Sequence, residues 1–461
     1  MVFQNDILAG SSGGTGTSSA VHTIGQSIRF NDNDSAYMSK TFSASNRKTF
    51  TFSCWVKRGS LGSYQRIFNA YDSSDDEHLI FRDADVLHFY SGDASADVKT
   101  NQVFRDPSAW SHIVCAVDTT NAVSSERVRL YVNGSRVTSL ATATYPSLNA
   151  DTGFNENVAH HIGVSSATSQ YFDGYLAEIV FIDGTALDPS SFGLYNDSNI
   201  WIPRDVSSLS FGTNGFHIKG ENASDLGNDS SGNNNNFTTS GLASHDFCLD
   251  SPTNNFAVYN ILYNVGDVDF PTYSEGNLSV DFNYFGKRSP VSTFALPTDS
   301  DAYCEFYIKT SAGSAHASGV GIGQGDANNA GNVALTNGIT YNFNGYKHTG
   351  TGTATTFGNT YTAGDIIGVY FDLSDNEVDF YKNNTLEGSL SLSSYSGDLF
   401  FLVANNTTNQ QVIIANFGQD DTFAGNKTSG SAGASDSSGN GKFYYTRISG
   451  AKALCSKSLG S

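Results

Sequence analysis

Two carboxylates held on one face of a strand would make this chain a polysaccharide hydrolase, so the acidic strands come first. Retaining enzymes of that kind set the pair about 5–5.5 Å apart, one as acid and one as nucleophile. The nearest runs are Glu178-Ile179-Val180-Phe181-Ile182-Asp183 and Glu377-Val378-Asp379-Phe380-Tyr381. Positions 178 and 183 differ by an odd number, and successive strand side chains alternate between faces, so those two carboxylates do not pair. The second run lacks the further glutamate that completes such a motif. No Gly-x-Ser-x-Gly elbow in a strand–helix setting and no phosphate-binding Walker loop occurs. His160 and His161 are adjacent, so on a strand they point apart and cannot share a metal; each is expected to be a surface histidine. Gly319-Val320-Gly321-Ile322-Gly323 reads as a glycine-containing core strand rather than a phosphate loop. No catalytic residue is expected.

Binding residues are better represented. An aromatic ring stacks on the apolar side of a sugar while carboxylates and amides take its hydroxyls. On loop tips, Tyr64, Tyr71 and Asp76 in the first half and Tyr346 and His348 in the second have the right chemistry. Asp72, Asp75, Asp76 and Glu77 cluster in one turn, and Asn31-Asp32-Asn33-Asp34 in another. Oxygen ligands on short loops suit Ca2+, the one cofactor with any support, and a solvated acidic turn is the alternative. Val2, Phe3, Ile7 and Leu8 form an apolar tip ahead of the Gly/Ser segment 9–20, the arrangement of a docking peptide on a flexible leash, and a frayed terminus is the alternative.

Composition narrows the class. The 461 residues carry 45 acidic and 25 basic side chains, a net charge of −20. That charge repels phosphate backbones, so nucleic acid is not expected as a partner. The amino terminus has no positive region followed by an apolar core, so it does not read as a signal peptide. No run approaches the roughly 18 apolar residues needed to cross a membrane as a helix. Five cysteines at irregular spacing make no metal signature. Cys54 and Cys115 alternate with apolar neighbours, so buried free thiols and maturation in a reducing cytoplasm are expected.

The elements that must position these residues are strands. Gly, Asn, Tyr and Phe are abundant and helix-forming runs are missing, which predicts an all-β chain. Residues 49–57 alternate, with Phe50, Phe52, Cys54 and Val56 on one face. Segments 78–82 and 86–90 predict a hairpin, 111–118 a strand, and 127–134 a strand entering the Asn133-Gly134 turn. Residues 175–184 and 303–309 predict further strands, and Asp188-Pro189-Ser190-Ser191-Phe192 a short helix.

Four of these segments, in order, resemble the laminin G-like branch of the concanavalin A-like lectin fold. They are Phe50–Val56, Trp110-Ser111-His112-Ile113-Val114, Leu130-Tyr131-Val132-Asn133-Gly134 and Phe172-Asp173-Gly174-Tyr175-Leu176-Ala177-Glu178-Ile179, with Ala177 where that family usually has an acid. Farther on, Gly364-Asp365-Ile366-Ile367-Gly368 leads to Asp372-Leu373 and then Phe380-Tyr381-Lys382-Asn383-Asn384. This resembles a SPRY domain, with Asn384 in place of the usual Gly.

The resemblances imply two tandem antiparallel concanavalin A-like β-sandwiches (jelly rolls). The expected layout is a docking segment 1–21, a laminin G-like sandwich 22–202, an Asn-rich linker 203–271, a SPRY-like sandwich 272–420 and a low-complexity tail 421–461. The tandem, with Asp250-Ser251-Pro252-Thr253-Asn254-Asn255-Phe256 between its halves, is similar to virion structural proteins of tailed marine bacteriophages. That likeness implies a non-enzymatic protein on the virion surface, either a receptor- or glycan-binding tail protein or fibre, or a capsid decoration protein. Other virion proteins and a host surface glycan or receptor would be its partners, and a homo-oligomer such as a trimer its assembly.

Overall fold

The computed structural model describes residues 22–71, 76–165, 169–263, 271–282, 289–311, 318–324, 337–350, 353–405, 409–430, 434–445 and 449–459. The docking tip Val2, Phe3, Ile7 and Leu8 lies outside them. The fold is all-β, as expected, and the chain divides between Thr253 and Asn254 into two compact units.

In the first unit, one eight-stranded sheet has Thr49–Arg58 at its centre, between Ser111–Asp118 and Gly174–Asp183. A second eight-stranded sheet runs Leu140–Thr144, Ala96–Val103, Val86–Ser91, Asp76–Phe81, Gln65–Tyr71, Ala159–Ile162, Tyr37–Thr41, Thr238–Ser240. Their inner faces meet through aromatic rings. Phe52 stacks on Phe68 at 4.8 Å between centroids, and Phe68 meets Phe181 at 5.5 Å. Rings of this size supply most of the apolar burial. The Asn133-Gly134 turn has φ of 46° and 79°, the left-handed pair such a hairpin needs. The expected short helix is a single 3-10 turn at Pro189–Ser191.

The first sheet is buried on both faces. Val114, Ala116, Val180 and Ile182 on its outer side pack under Phe192, Val206 and Phe211. Elsewhere on this outer side the buried Lys57 Nζ donates to Asp250 Oδ2 at 2.7 Å, and Trp110 Nε1 donates to Asp250 Oδ1 at 2.9 Å.

Residues 203–253 are therefore not a linker. Phe216–Ile218 pairs with Gly174–Asp183, Phe247–Cys248 with Ser27–Phe30, and Thr238–Ser240 with Tyr37–Thr41. The asparagine run reads as unstructured because it cannot build a core, but its amides satisfy backbone instead. Asn233 Nδ2 donates to the carbonyls of Gly212 (2.7 Å) and Gly215 (2.9 Å), and Asn235 Nδ2 to Thr213 (3.0 Å) and Gly215 (2.9 Å).

The second unit pairs a seven-stranded sheet, centred on Gln411–Asn416, Ala302–Thr310 and Ile366–Asp372, with a five-stranded one centred on Gly338–Asn342 and Gly319–Gln324. A Cβ at Gly319 or Gly321 would lie 2.1 Å from the Tyr341 carbonyl oxygen or 1.9 Å from that of Ile339, so only glycine fits this strand. Asn384 has a φ of 68°, which asparagine tolerates where glycine is usual. The segment after 420 is not a loose tail where it is described. Phe423, Phe443 and Leu454 are buried. The wholly buried Glu305 carboxyl accepts the backbone N–H groups of Tyr444 (2.7 Å) and Tyr445 (3.0 Å). Asp436 accepts those of Asn440 (2.7 Å) and Ala453 (2.8 Å).

Candidate ligand-binding face

The outer face of the second sheet in the first unit collects the polar and aromatic side chains. Strand register sets His161, Asn69, His78, Tyr90 and Asp97 abreast across five strands. Side chains directly opposite in an antiparallel pair share a face about 4.5–5.5 Å apart at Cβ, so this is one continuous row. The inward positions between them, such as Phe68, Leu79, Phe89 and Val98, belong to the core.

A hydrogen-bonded chain crosses the row. His88 Nε2 lies 2.9 Å from Asp97 Oδ1, His78 Nε2 3.4 Å from His88 Nδ1, and His78 Nδ1 3.0 Å from Asp76 Oδ2. Arg66 grips Asp76 with both terminal nitrogens at 2.7 and 2.8 Å and donates to Asn69 Oδ1 at 2.9 Å. Tyr90 stacks on His78 at 5.2 Å, and Tyr37 meets His161 at 6.1 Å. The imidazoles and Arg66 are buried, whereas the Asp76 and Asp97 side chains each remain 37% exposed.

The electrostatics follow from that layering. Burial opposes ionisation of Asp76, but hydrogen bonds from His78 and Arg66 outweigh it and hold the carboxyl well below the usual range. Burial, joined by the neighbouring His78, pulls His88 down to about 4 despite Asp97, and burial also lowers His78 and His161. The face thus exposes the Asp76 and Asp97 side chains above a buried layer that holds the Arg66 guanidinium and neutral imidazoles.

Residues 30–190 match the Concanavalin A-like lectin/glucanases superfamily. Residues 30–190 of the first unit are thus similar to laminin G-type, concanavalin A-like domains. No curated protein sequence matches the chain. Among solved structures, the SPRY domain of human HERC1 is similar at 17% identity over 30% of this chain and 87% of that one (TM-score 0.27). Domains LG4-5 of the mouse laminin alpha1 chain align at 10% identity over 88% and 85% (TM-score 0.29). Domain 4 of AbnA, an extracellular arabinanase of Geobacillus stearothermophilus solved with arabinotriose, aligns at 22% over 32% and 65% (TM-score 0.25).

Two other clusters in the first unit have the look of catalytic groups. Ser53 Oγ sits 2.9 Å from His112 Nε2, the spacing of a nucleophile and its base. Trp201 Nε1, however, donates to His112 Nδ1 at 3.1 Å, and burial drives the ring down to about 3. The neutral ring therefore carries its proton on Nε2 and donates to Ser53, the wrong tautomer for a base. Glu178, at a bulge with φ 48°, lies 2.8 Å from His217 Nε2 and 3.9 Å from that of His22. Burial opposes its charge, but the two histidines hold it down at about 2. Asp183 bonds elsewhere, accepting from Ser45 at 2.6 Å and Asn155 at 3.0 Å.

Of the residues picked from sequence, Asp76 lies on the polar face, with Tyr71 beside it as its cross-strand partner, 42% exposed. Tyr64 instead accepts from Arg82 at 2.7 Å, which lies over its ring at 4.9 Å. In the second unit Tyr346 is 40% exposed but His348, two residues along the same strand, is buried at 2% and is not a loop-tip ligand. Asp72 and Asp75 lie outside the described residues. Glu77 turns inward, accepts the Asp93 N–H at 3.1 Å and is pushed up to about 7 by burial. Asp76 and Glu77 thus point to opposite sides of the sheet, and no metal-binding group of three His, Cys, Asp or Glu occurs among the described residues. His160 is no surface residue: it is wholly buried, accepting the Asn155 N–H at 3.1 Å and meeting Phe42 at 5.0 Å.

Asn69, His78, His88, Tyr90 and His161 were absent from the sequence-based candidates. A signal existed, since His78 and Tyr90 occupy the polar positions of the alternating segments 78–82 and 86–90. What the sequence withholds is the register that sets them abreast.

Proposed function

We propose that this chain is a carbohydrate-binding protein without catalytic chemistry, and that its glycan site is the outer face of the sheet carrying Asn69, His78 and Tyr90. The row His161–Asn69–His78–Tyr90–Asp97 carries this reading, because it sets planar polar groups beside rings on one pre-organised surface. The superfamily matched by residues 30–190, which is named for lectins as well as glucanases, adds support. The reading as a binder rather than a hydrolase rests on the chemistry of the acids. Asp76 is locked by Arg66 and kept ionised, so it is no proton donor, and the Ser53–His112 pair has the wrong tautomer.

A glycan array probed with the full chain, followed by calorimetry on the hits, tests this. Tyr90→Ala should weaken binding at least tenfold at unchanged thermal stability. Steady release of reducing sugars from a bound polysaccharide would refute the non-catalytic part.

The sequence likeness to tailed-phage structural proteins extends the proposal to place. The chain would sit on a virion surface as an oligomer, anchored by residues 1–21 to other virion proteins and holding its glycan face toward the host. Antibody labelling of intact particles distinguishes tail from capsid, and labelling of neither refutes the assignment.

A further inference from the structure

We infer that Asn69 and His161 together form a seat for a single ligand hydroxyl, an inference that rests on the glycan-binding reading of this face. Asn69 is wholly buried, and Arg66 Nη1 donates to its Oδ1 at 2.9 Å. That bond fixes the amide orientation: Oδ1 is taken, and Nδ2 is the end left over. Nδ2 is buried and bonds to no protein atom. Its cross-strand partner is His161, 7% exposed, whose Nδ1 is likewise buried without a protein partner.

Buried polar atoms are almost always satisfied, so two such atoms on opposed residues of one sheet face call for a common partner. The amide nitrogen can only donate. We place the His161 proton on Nε2, and in that tautomer Nδ1 can only accept. A hydroxyl is the one simple group that serves both at once, accepting from Asn69 Nδ2 and donating to His161 Nδ1. A carboxylate or phosphate oxygen would satisfy Asn69 and confront the lone pair of His161. Burial keeps that ring neutral, consistent with the acceptor role. The Tyr37 ring, 6.1 Å from that of His161, stands ready for the apolar side of the same sugar.

The class of ligand is therefore a neutral saccharide that projects one hydroxyl beside its Tyr37-facing side, and the same sugar deoxygenated at that carbon should be refused. A site whose buried polar groups must be satisfied discriminates strongly against an analogue lacking the hydroxyl. The test uses the full chain labelled with 15N at Asn and His side chains and with 13C in Tyr rings. Methyl glycosides of glucose, galactose, mannose and N-acetylglucosamine are added in turn. A glycoside that moves the Tyr90 signals should also move the Asn69 side-chain amide and the His161 ring nitrogens. Asn69→Ala and His161→Phe should each weaken that glycoside at least tenfold, and the double variant scarcely more than the worse single. If a glycoside moves Tyr90 while Asn69 and His161 stay fixed, the seat holds a bound water only, and the inference fails although the face reading stands. If no glycoside moves Tyr90, the face reading fails and takes the seat with it. The wild-type shifts decide the matter even where a variant folds poorly.

Discussion

His78 Nε2 and His88 Nδ1 face each other at 3.4 Å between two carboxylates, and the protons available do not suffice for the contacts. Two neutral imidazoles carry one N–H each. Asp76 takes the one on His78 Nδ1 and Asp97 the one on His88 Nε2, which leaves two lone pairs opposed in the middle. One further proton fits between them and would be shared.

The pair should consequently titrate as a unit. Burial lowers both histidines, His88 to about 4, against the charges that face them: Asp76, Asp97, Arg66, Arg82 and the cross-strand Lys99. A base depressed in the folded state holds fewer protons there than in the unfolded chain between its folded pKa and 6.5. Stability therefore falls as pH drops through that window. NMR should show the His78 and His88 rings shifting together over one step between about 4 and 6.5. His88→Gln should remove the shared step; two independent titrations in the wild type would contradict the proton count.

The two units should answer acid in opposite senses. In the first, His112 and His160 join His88 as buried neutral rings, at about 3 and about 4, so acidification from pH 7 to 5 costs stability at each. In the second, burial raises Glu305 to about 7 from 4.5 despite the Tyr444 and Tyr445 N–H groups. An acid raised in the folded state contributes stability that is whole below 4.5 and lost as pH climbs to about 7, an effect on the order of 3 kcal/mol. Glu77 acts like Glu305 but is outnumbered in its unit. Hydrogen exchange at pH 5 and 7, corrected for intrinsic rates, should show Ser111–Asp118 less protected at pH 5 and Ala302–Thr310 more protected. Glu305→Gln should abolish the second change.

All five cysteines are free and buried, and burial raises the thiols of Cys54 and Cys115 and, to about 11, that of Cys455. A thiolate is the reactive form, so the native chain should resist alkylation at pH 8. Mass spectrometry should find no adducts natively and five after denaturation.

What the sequence disclosed was local. The run 111–118 alternates and becomes Ser111–Asp118, and Asn133-Gly134 makes its turn, because period-two alternation and left-handed turns are written in adjacent residues. What it hid was long-range satisfaction. Asn233 and Asn235 look like linker residues until their amides are seen on the carbonyls of Gly212, Thr213 and Gly215. Glu305 sits at the polar position of an alternating strand, yet the distant Tyr444 and Tyr445 cover it. The polar face stayed hidden for the same reason. His78 and Tyr90 share a parity that the sequence does reveal, but Asn69 and His161 join them only through pairings between distant segments that no single segment encodes.

The ion pair between Lys57 and Asp250 tests how residues 203–253 are held to the first unit. Both side chains are all but inaccessible, at 1% and 0%, and Nζ donates to Oδ2 at 2.7 Å. Burial lowers the Lys57 pKa while Asp250 works against it, so the charges persist only as partners. Removing one partner strands the other's charge in a low dielectric, which costs about 3–5 kcal/mol, whereas replacing both is often close to neutral. Lys57→Met should therefore destabilise the first unit by about that amount and expose 203–253 to limited proteolysis. Lys57→Met combined with Asp250→Asn keeps an acceptor for Trp110 Nε1, which lies 2.9 Å from Asp250 Oδ1, and should recover most of the loss. Denaturant unfolding of the single and double variants measures the difference. If the double variant is no more stable than Lys57→Met, the pair contributes through packing rather than charge.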